Sequence, residues 1–265
     1  MKRQKDSSYQ SCGLKSAPGC KVLIMNRKGG AGKSTFAIAL ASVLSSSYRC
    51  ELIDFDTQRT SQHWGNISGI VESQHFQFDT GQLFSLAVKV DRRSDVILMD
   101  TPSNFSMLEM ERYLSLADRI IVPLQPSPID IHAILNFIGK LIHSPTYRQR
   151  RQPIAFVATR NGKGEQGLEQ FKRVLKHLRH PVLGGMTNSP LYQQAFEQGV
   201  NFMTFDPVLD LTLWRRTCHW LKLPIEAAKD EGAGHDTEKR TASRYWQPNT
   251  DSIRRSRLPE TVATP

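Results

Sequence analysis

At 265 residues and 39% hydrophobic, the chain has room for one α/β domain with polar ends, or for two small domains at most. Its net charge of +10 favours an anionic partner, either nucleic acid or an acidic membrane surface. The longest apolar runs fall short of the roughly 18 residues a spanning helix needs, and no apolar segment follows the basic start Met1-Lys2-Arg3-Gln4-Lys5, so neither a membrane span nor a secretory leader is expected.

Residues 1–19 are polar, contain Ser7-Ser8 and Pro18-Gly19, and read as a flexible basic leader. From Lys21 the chain alternates. Strands are predicted over 21–25, 50–54, 75–78, 95–99, 119–122 and 154–158. Several are continuous apolar runs, the pattern of parallel strands covered on both faces. Helices are predicted near 34–46, 81–90, 105–117, 130–142, 165–179 and 207–223. That alternation specifies a doubly wound α/β fold with a mostly parallel sheet over residues 20–227. Residues 228–265, rich in charge and proline, read as a disordered tail. Cys12, Cys20, Cys50 and Cys218 show no C-x-x-C spacing and are expected to be free thiols in a reducing cytoplasm.

The first strand runs into Lys28-Gly29-Gly30-Ala31-Gly32-Lys33-Ser34-Thr35 and then into a helix. Strand, glycine-rich loop and helix in that order make a phosphate-binding loop. Glycines let the backbone turn sharply and gather N–H groups on one anion, and the helix N-terminus adds partial positive charge. Lys33 is placed to reach the β/γ-phosphates, and the Ser34 hydroxyl to ligate Mg²⁺. The ordinary loop has glycine where this chain has Arg27, and a second lysine, Lys28, opens the loop instead. Lys28 lies across the turn from Lys33, badly placed for its own phosphates and well placed for a neighbour's.

Two further strands end in carboxylates. Cys50–Asp54 leads into Asp54-Phe55-Asp56, whose acids at i, i+2 can share one side of the strand's carboxyl end, where α/β sheets bind ligands. Asp54 is a candidate for holding a Mg²⁺-bound water, and Asp56 for orienting the water that attacks the γ-phosphate. Val96-Ile97-Leu98-Met99-Asp100-Thr101-Pro102 ends in one carboxylate, a further Mg²⁺ candidate.

Together with Asn26 and Thr35, the loop resembles the deviant Walker A motif of the ParA/MinD family of ATPases, N-x-K-G-G-x-G-K-[ST]-T. Asp54 and Asp56 match that family's D-x-D-P-Q, with Thr57 in place of proline and Gln58 retained. Asp100-Thr101-Pro102 matches its Walker B strand end, and Val122-Pro123-Leu124-Gln125-Pro126-Ser127 its v-P-x-x-P-s segment. Thr159 stands where relatives often carry an asparagine near the adenine, and 188–199 resembles the family's helix ending in glycine without its arginines. The resemblance covers about residues 21–225 and is closest to ParA-type partition ATPases.

It implies a slow, partner-stimulated, Mg²⁺-dependent ATP hydrolase with the P-loop NTPase fold. Lys28, Lys33 and Asp56 would be its catalytic residues, 28–35 its nucleotide loop, and Ser34, Asp54 and Asp100 its metal-side groups. It also implies an ATP-bound homodimer, a ParB-like or other cargo adaptor, and nucleoid-associated action in the cytoplasm. The charge points to non-specific DNA. Lys172, Arg173, Lys176 and Arg179 lie off the apolar face of their predicted helix, while Arg148, Arg150 and Arg151 and Arg215-Arg216 form two more clusters. A conjugation-linked or organelle-positioning relative is the alternative. A MinD-like membrane regulator is disfavoured, because Tyr245, Trp246, Ile253 and Leu258 make no apolar stripe. An iron–sulfur relative would need cysteines after Asp100, and none occurs before Cys218.

Overall fold

The computed structural model describes residues 19–77, 88, 90–91, 93–162, 164–223 and 225. The expected leader (save residue 19), the tail and most of the expected helix 81–90 lie outside the described residues.

Seven parallel strands form one sheet: β1 (Cys20–Ile24), β2 (Cys50–Asp54), β3 (Glu72–His75), β4 (Val96–Asp100), β5 (Arg119–Leu124), β6 (Ile154–Ala158) and β7 (Val182–Gly185). Their order is β3-β2-β4-β1-β5-β6-β7. The chain runs outward from β1 on one side, then returns and runs outward on the other. The strand order therefore switches at β1, and a crevice opens at the carboxyl ends of β1, β4 and β5.

The central strands are largely apolar because both faces are covered. Val22, Ile24, Leu52, Val96 and Leu98 join one core, under α1 (Lys33–Leu44), α2 (Thr60–Ser68), α7 (Pro190–Gln198) and α8 (Leu211–Leu221). Leu23, Ile53, Ile97 and Met99 join the other, with α3 (Met107–Leu116), α4 (Pro128–His143) and α6 (Gly164–Leu175). A short helix, α5 (Pro145–Arg150), follows α4. Helix α1 is buried nearly all round, since α2, α7 and α8 pack on its outer side; this is why its sequence is apolar on every face. Helix α3 starts on a reciprocal cap: Glu109 N–H donates to Ser106 Oγ, and Ser106 N–H donates to the Glu109 carboxylate.

The doubly wound expectation holds, with adjustments at particular elements. β3 spans Glu72–His75, not 75–78; it is an edge strand paired on one side, with polar residues throughout. β7, α2 and α5 are additions. Helix 165–179 divides into α6 and a 3₁₀ turn, Lys176–Leu178, and the helix expected over 207–223 begins only at Leu211.

Candidate functional site

The loop from Met25 to Gly32 is held from behind by side chains on three strand ends. Asn26 is buried; its Nδ2 donates to the Pro123 carbonyl at 2.8 Å, and its Oδ1 accepts the Lys28 N–H at 3.0 Å. Gln125 Nε2 donates to the Gly30 carbonyl at 3.0 Å, and Thr159 Oγ1 to the Ala31 carbonyl at 2.9 Å. Gly30 and Gly32 are left-handed, at φ 71° and 79°. A Cβ on Gly32 would also stand 3.1 Å from the Thr159 side chain, so glycine is required there twice over. Gly32 caps α1 with no side chain, and no acid occupies the first turn. The positive end of α1 is therefore left to an external anion.

Lys33 is buried, and its ammonium donates to Ser103 Oγ at 2.9 Å and to the Lys28 carbonyl at 3.4 Å. Burial lowers its pKa, and the charges of Asp100 and Asp56 oppose that shift. Ser34 is half-buried; Gly29, Gly30 and Thr35 are exposed.

The carboxylates differ sharply. Asp54 and Asp100 are paired in register on β2 and β4, and both are fully buried. Asp54 is saturated. Its Oδ2 accepts from Ser61 N–H (2.9 Å), Ser61 Oγ (2.8 Å) and Gln62 N–H (3.1 Å), and its Oδ1 from Asp56 N–H (2.8 Å). It thereby caps α2 from a distance. Asp100 has no hydrogen-bond partner on either oxygen among the described residues. Burial pushes its pKa up to about 7 and the Asp54 charge adds to this, while Ser34, Lys33 and Ser61 act in the other direction.

A buried carboxylate with nothing to satisfy it, beside a hydroxyl and a loop shaped for phosphate, fits a hard cation. Among the described residues no group of three His, Cys, Asp or Glu could form a protein-only metal cage. Mg²⁺ does not need one, because it takes waters and phosphate oxygens as its other ligands. Asp56 is half-buried, accepts from Gln58 N–H at 3.0 Å, and acts on Lys33 through its charge.

Lys28 turns away from its own loop. Its ammonium forms an ion pair with Asp130 in the first turn of α4, whose carboxylate is buried and also bound by the Ser127 hydroxyl. Beside the loop, a cavity of 490 Å³ is lined by Gly32, Thr35, Thr159, Thr187, Tyr192 and Phe196 among others. Asp210 braces its far wall, accepting from Thr187 N–H (2.8 Å), Thr187 Oγ1 (2.6 Å) and Tyr192 Oη (2.7 Å). Burial, and then the charge of Asp210, raise the Tyr192 pKa.

The fold thus brings 28–35, Asp54, Asp56 and Asp100 to one crevice. Ser103, Asp130 and Asp210 were not anticipated from sequence. Ser103 directly follows Asp-Thr-Pro and Asp130 lies three residues past the end of the P-x-x-P-s segment, so a residue-by-residue reading past each motif offered a signal for both. For Asp210 none existed.

Residues 22–202 match the model of the CobQ/CobB/MinD/ParA nucleotide binding domain. The chain belongs to this family. It is 25% identical over 189 residues to the "Maintenance of carboxysome distribution protein A" of Halothiobacillus neapolitanus, covering 68% of this chain and 85% of that one. To the protein of the same name from Gloeobacter kilaueensis it is 23% identical over 121 residues, 46% of this chain and little more than half (56%) of the relative. In architecture it is similar to a Cyanothece McdA–ATP complex, with TM-score 0.64, 15% identity, and coverage of 80% of this chain and 100% of that one. No described helix is long and apolar enough to cross a membrane.

Proposed function

We propose that this member of the family is a Mg²⁺-dependent ATPase switch of the ParA type, carried by residues 20–227. Its ATP-bound dimer would bind DNA non-specifically and position a cargo through an adaptor protein, acting at the nucleoid. The observation that carries the nucleotide chemistry is Asp100: a buried carboxylate at the end of β4, near Ser34 and Lys33, with no hydrogen-bond partner among the described residues.

In this reading the loop 28–35 wraps the phosphates and Lys33 exchanges Ser103 for the β/γ-phosphates. Ser34 and Asp100 would hold Mg²⁺, which would neutralise charge on the phosphates. Asp54 acts from behind, fixing the Asp56 N–H and the start of α2, and Asp56 orients the attacking water. Lys28 leaves Asp130 to reach the nucleotide of a second copy, so ATP-bound dimerisation trades one ion pair for another. Oligomeric state then sets avidity for DNA.

The exposed Arg173, Lys176 and Arg179 along α6 and its 3₁₀ extension, and Arg215 and Arg216 on α8, are the candidate phosphate contacts. Arg150 is less available, since it bonds the Ala117 carbonyl at 3.0 Å and lies 3.6 Å from Asp118. Plasmid or chromosomal DNA is one cargo class. The two relatives named for carboxysome distribution favour a second, a protein-bounded cellular body.

Titration of the chain with fluorescent ATP, with and without Mg²⁺, tests the first step, and gel filtration with ATP tests the second. DNA association is expected to require ATP and to weaken steeply with salt. Binding to random duplex that ignores both nucleotide and salt contradicts the DNA part.

A further inference from the structure

Helix α6 carries one acid at the head of its basic stripe. Lys172 and Arg173 follow Glu169 by three and four residues, the spacing that sets side chains side by side on a helix. Lys172 Nζ donates to Glu169 Oε1 at 2.6 Å. That hydrogen bond first, and then the charges of Lys172, Arg173 and, from α8, Arg216, hold the Glu169 carboxyl below its usual pKa. Cations of two helices thus gather on one exposed carboxylate. Lys172 also stands on the ridge between two surface hollows. One, of 560 Å³ between α6, β7 and α8, has Glu165, Glu169 and Asp210 beside Lys172 and Arg216. The other, of 310 Å³, has Lys172, Arg173, Lys176 and His180, with no acid among its lining residues. The ion pair keeps the ammonium on the acidic side. An exposed pair of this kind adds little to stability, so its consequence lies in where it holds the charge.

We infer that Glu169 is an internal stand-in for a DNA phosphate: it tethers Lys172 and holds down the affinity of the α6–α8 face for the duplex backbone. A backbone phosphate arriving at the acid-free hollow competes with Glu169 for Lys172. While the tether holds, that lysine neutralises a carboxylate of its own chain and displaces no counterion from DNA. Glu169 touches no nucleic acid in this account and acts through Lys172. Weakening each face makes binding depend on having two of them, as a dimer has. The inference rests on the DNA reading above.

The test measures dissociation constants of the full chain for a labelled random duplex by fluorescence anisotropy, at saturating Mg-ATP. Wild type, Glu169→Gln, Lys172→Gln, the double variant and Glu165→Gln are compared. Glu169→Gln is expected to bind about tenfold more tightly at about 50 mM salt and about threefold more tightly at about 200 mM, since one added phosphate contact steepens the logarithmic salt dependence by about 0.9. Lys172→Gln is expected to change little in the wild-type background and to cancel the gain in the Glu169→Gln background. Glu165→Gln removes the same charge from the rim of the same hollow and is expected to gain less. An unchanged constant for Glu169→Gln, a gain that survives Lys172→Gln, or an equal gain from Glu165→Gln overturns the tether and leaves the DNA reading in place. A wild-type chain that binds no duplex at either salt, with Glu169→Gln equally silent, overturns the DNA reading itself, and this inference with it.

Discussion

The two ends of the crevice are built on opposite electrostatic plans. At the phosphate end, polar groups are left wanting: Asp100 has no hydrogen-bond partner among the described residues, the N-terminus of α1 has no acid in its first turn, and Lys33 is buried with only neutral oxygens bonded to its ammonium. At the other end, beside Thr159 and Thr187, the braces are closed, with Asp210 taking three protons from two residues. In the proposed reading, affinity at the first end would therefore be conditional on a cation, a protonation state and a second chain. At the second it would be a matter of preset shape. A switch needs both, one part that changes its energy with its surroundings and one that does not.

The largest expected effect breaks the conditional end. Asp56→Ala should keep ATP binding and the ATP-bound dimer while lowering turnover about a hundredfold or more, the usual worth of a group that handles a proton or orients water. Monomer alone on gel filtration with ATP would assign Asp56 to the fold or the metal instead. Lys33→Ala should weaken fluorescent-ATP binding by about a hundredfold, because the only buried cation of the loop is removed; an unchanged titration curve refutes the loop assignment.

Lys28→Ala should leave monomer ATP affinity nearly intact and weaken the dimer tens-fold, as expected for a charge-assisted contact in a desolvated interface. Asp130→Asn shifts the balance the other way. It releases Lys28 within the monomer, so the dimer should form at lower ATP concentration. Mixing Lys28→Ala with Lys33→Ala chains should restore part of the turnover, since one site of a mixed dimer then has both lysines. A dead mixture leaves crossed action unsupported, and a fully active monomeric Lys28→Ala chain removes it altogether.

The smallest effect sharpens the comparison by pH. The Asp100 pKa is raised to about 7, so a proton competes with Mg²⁺ there. Mg²⁺-dependent ATP affinity should fall by up to tenfold per pH unit below about 7, while Mg²⁺-free binding stays flat. The sign for stability is the reverse. A raised carboxyl pKa penalises the unliganded fold fully above about pH 7, and that penalty is relieved as pH falls toward the ordinary carboxylate range. Asp100→Asn should therefore raise the melting temperature of the unliganded chain at pH 8, gain less at pH 5, and lose the Mg²⁺ effect on ATP binding. Equal melting shifts at both pH values would show that burial does not hold Asp100 above its usual pKa.

The phosphate end was legible because its chemistry is contiguous. Three strand ends each carry their residues within a few positions, and the continuous apolar runs before them mark parallel strands. The remainder depends on groups distant in sequence. Helix α2 has no cap of its own; Asp54, on a strand several residues earlier, supplies it. β7 is four residues with two glycines, too short and too small to show an apolar run, yet its Gly184 lies where a Cβ would come within 3.1 Å of Leu213 on α8. Thr159, where relatives often carry an asparagine, holds the Ala31 carbonyl, a partner distant in sequence. Asp210 reads as an ordinary helix cap until the fold places it beside Thr187.

Glycine-rich loops are commonly pictured as pliant, but this one has been tied down. The carbonyls of Lys28, Gly30 and Ala31 are each gripped by a side chain from elsewhere, by Lys33, Gln125 and Thr159, and Asn26 stitches its first turn to β5. The backbone freedom that glycine brings is surrendered during folding, so an arriving phosphate has little left to organise. Backbone order parameters of residues 28–32 should accordingly be high even without ligand, and association should be limited by diffusion and charge, with no wait for the loop to close.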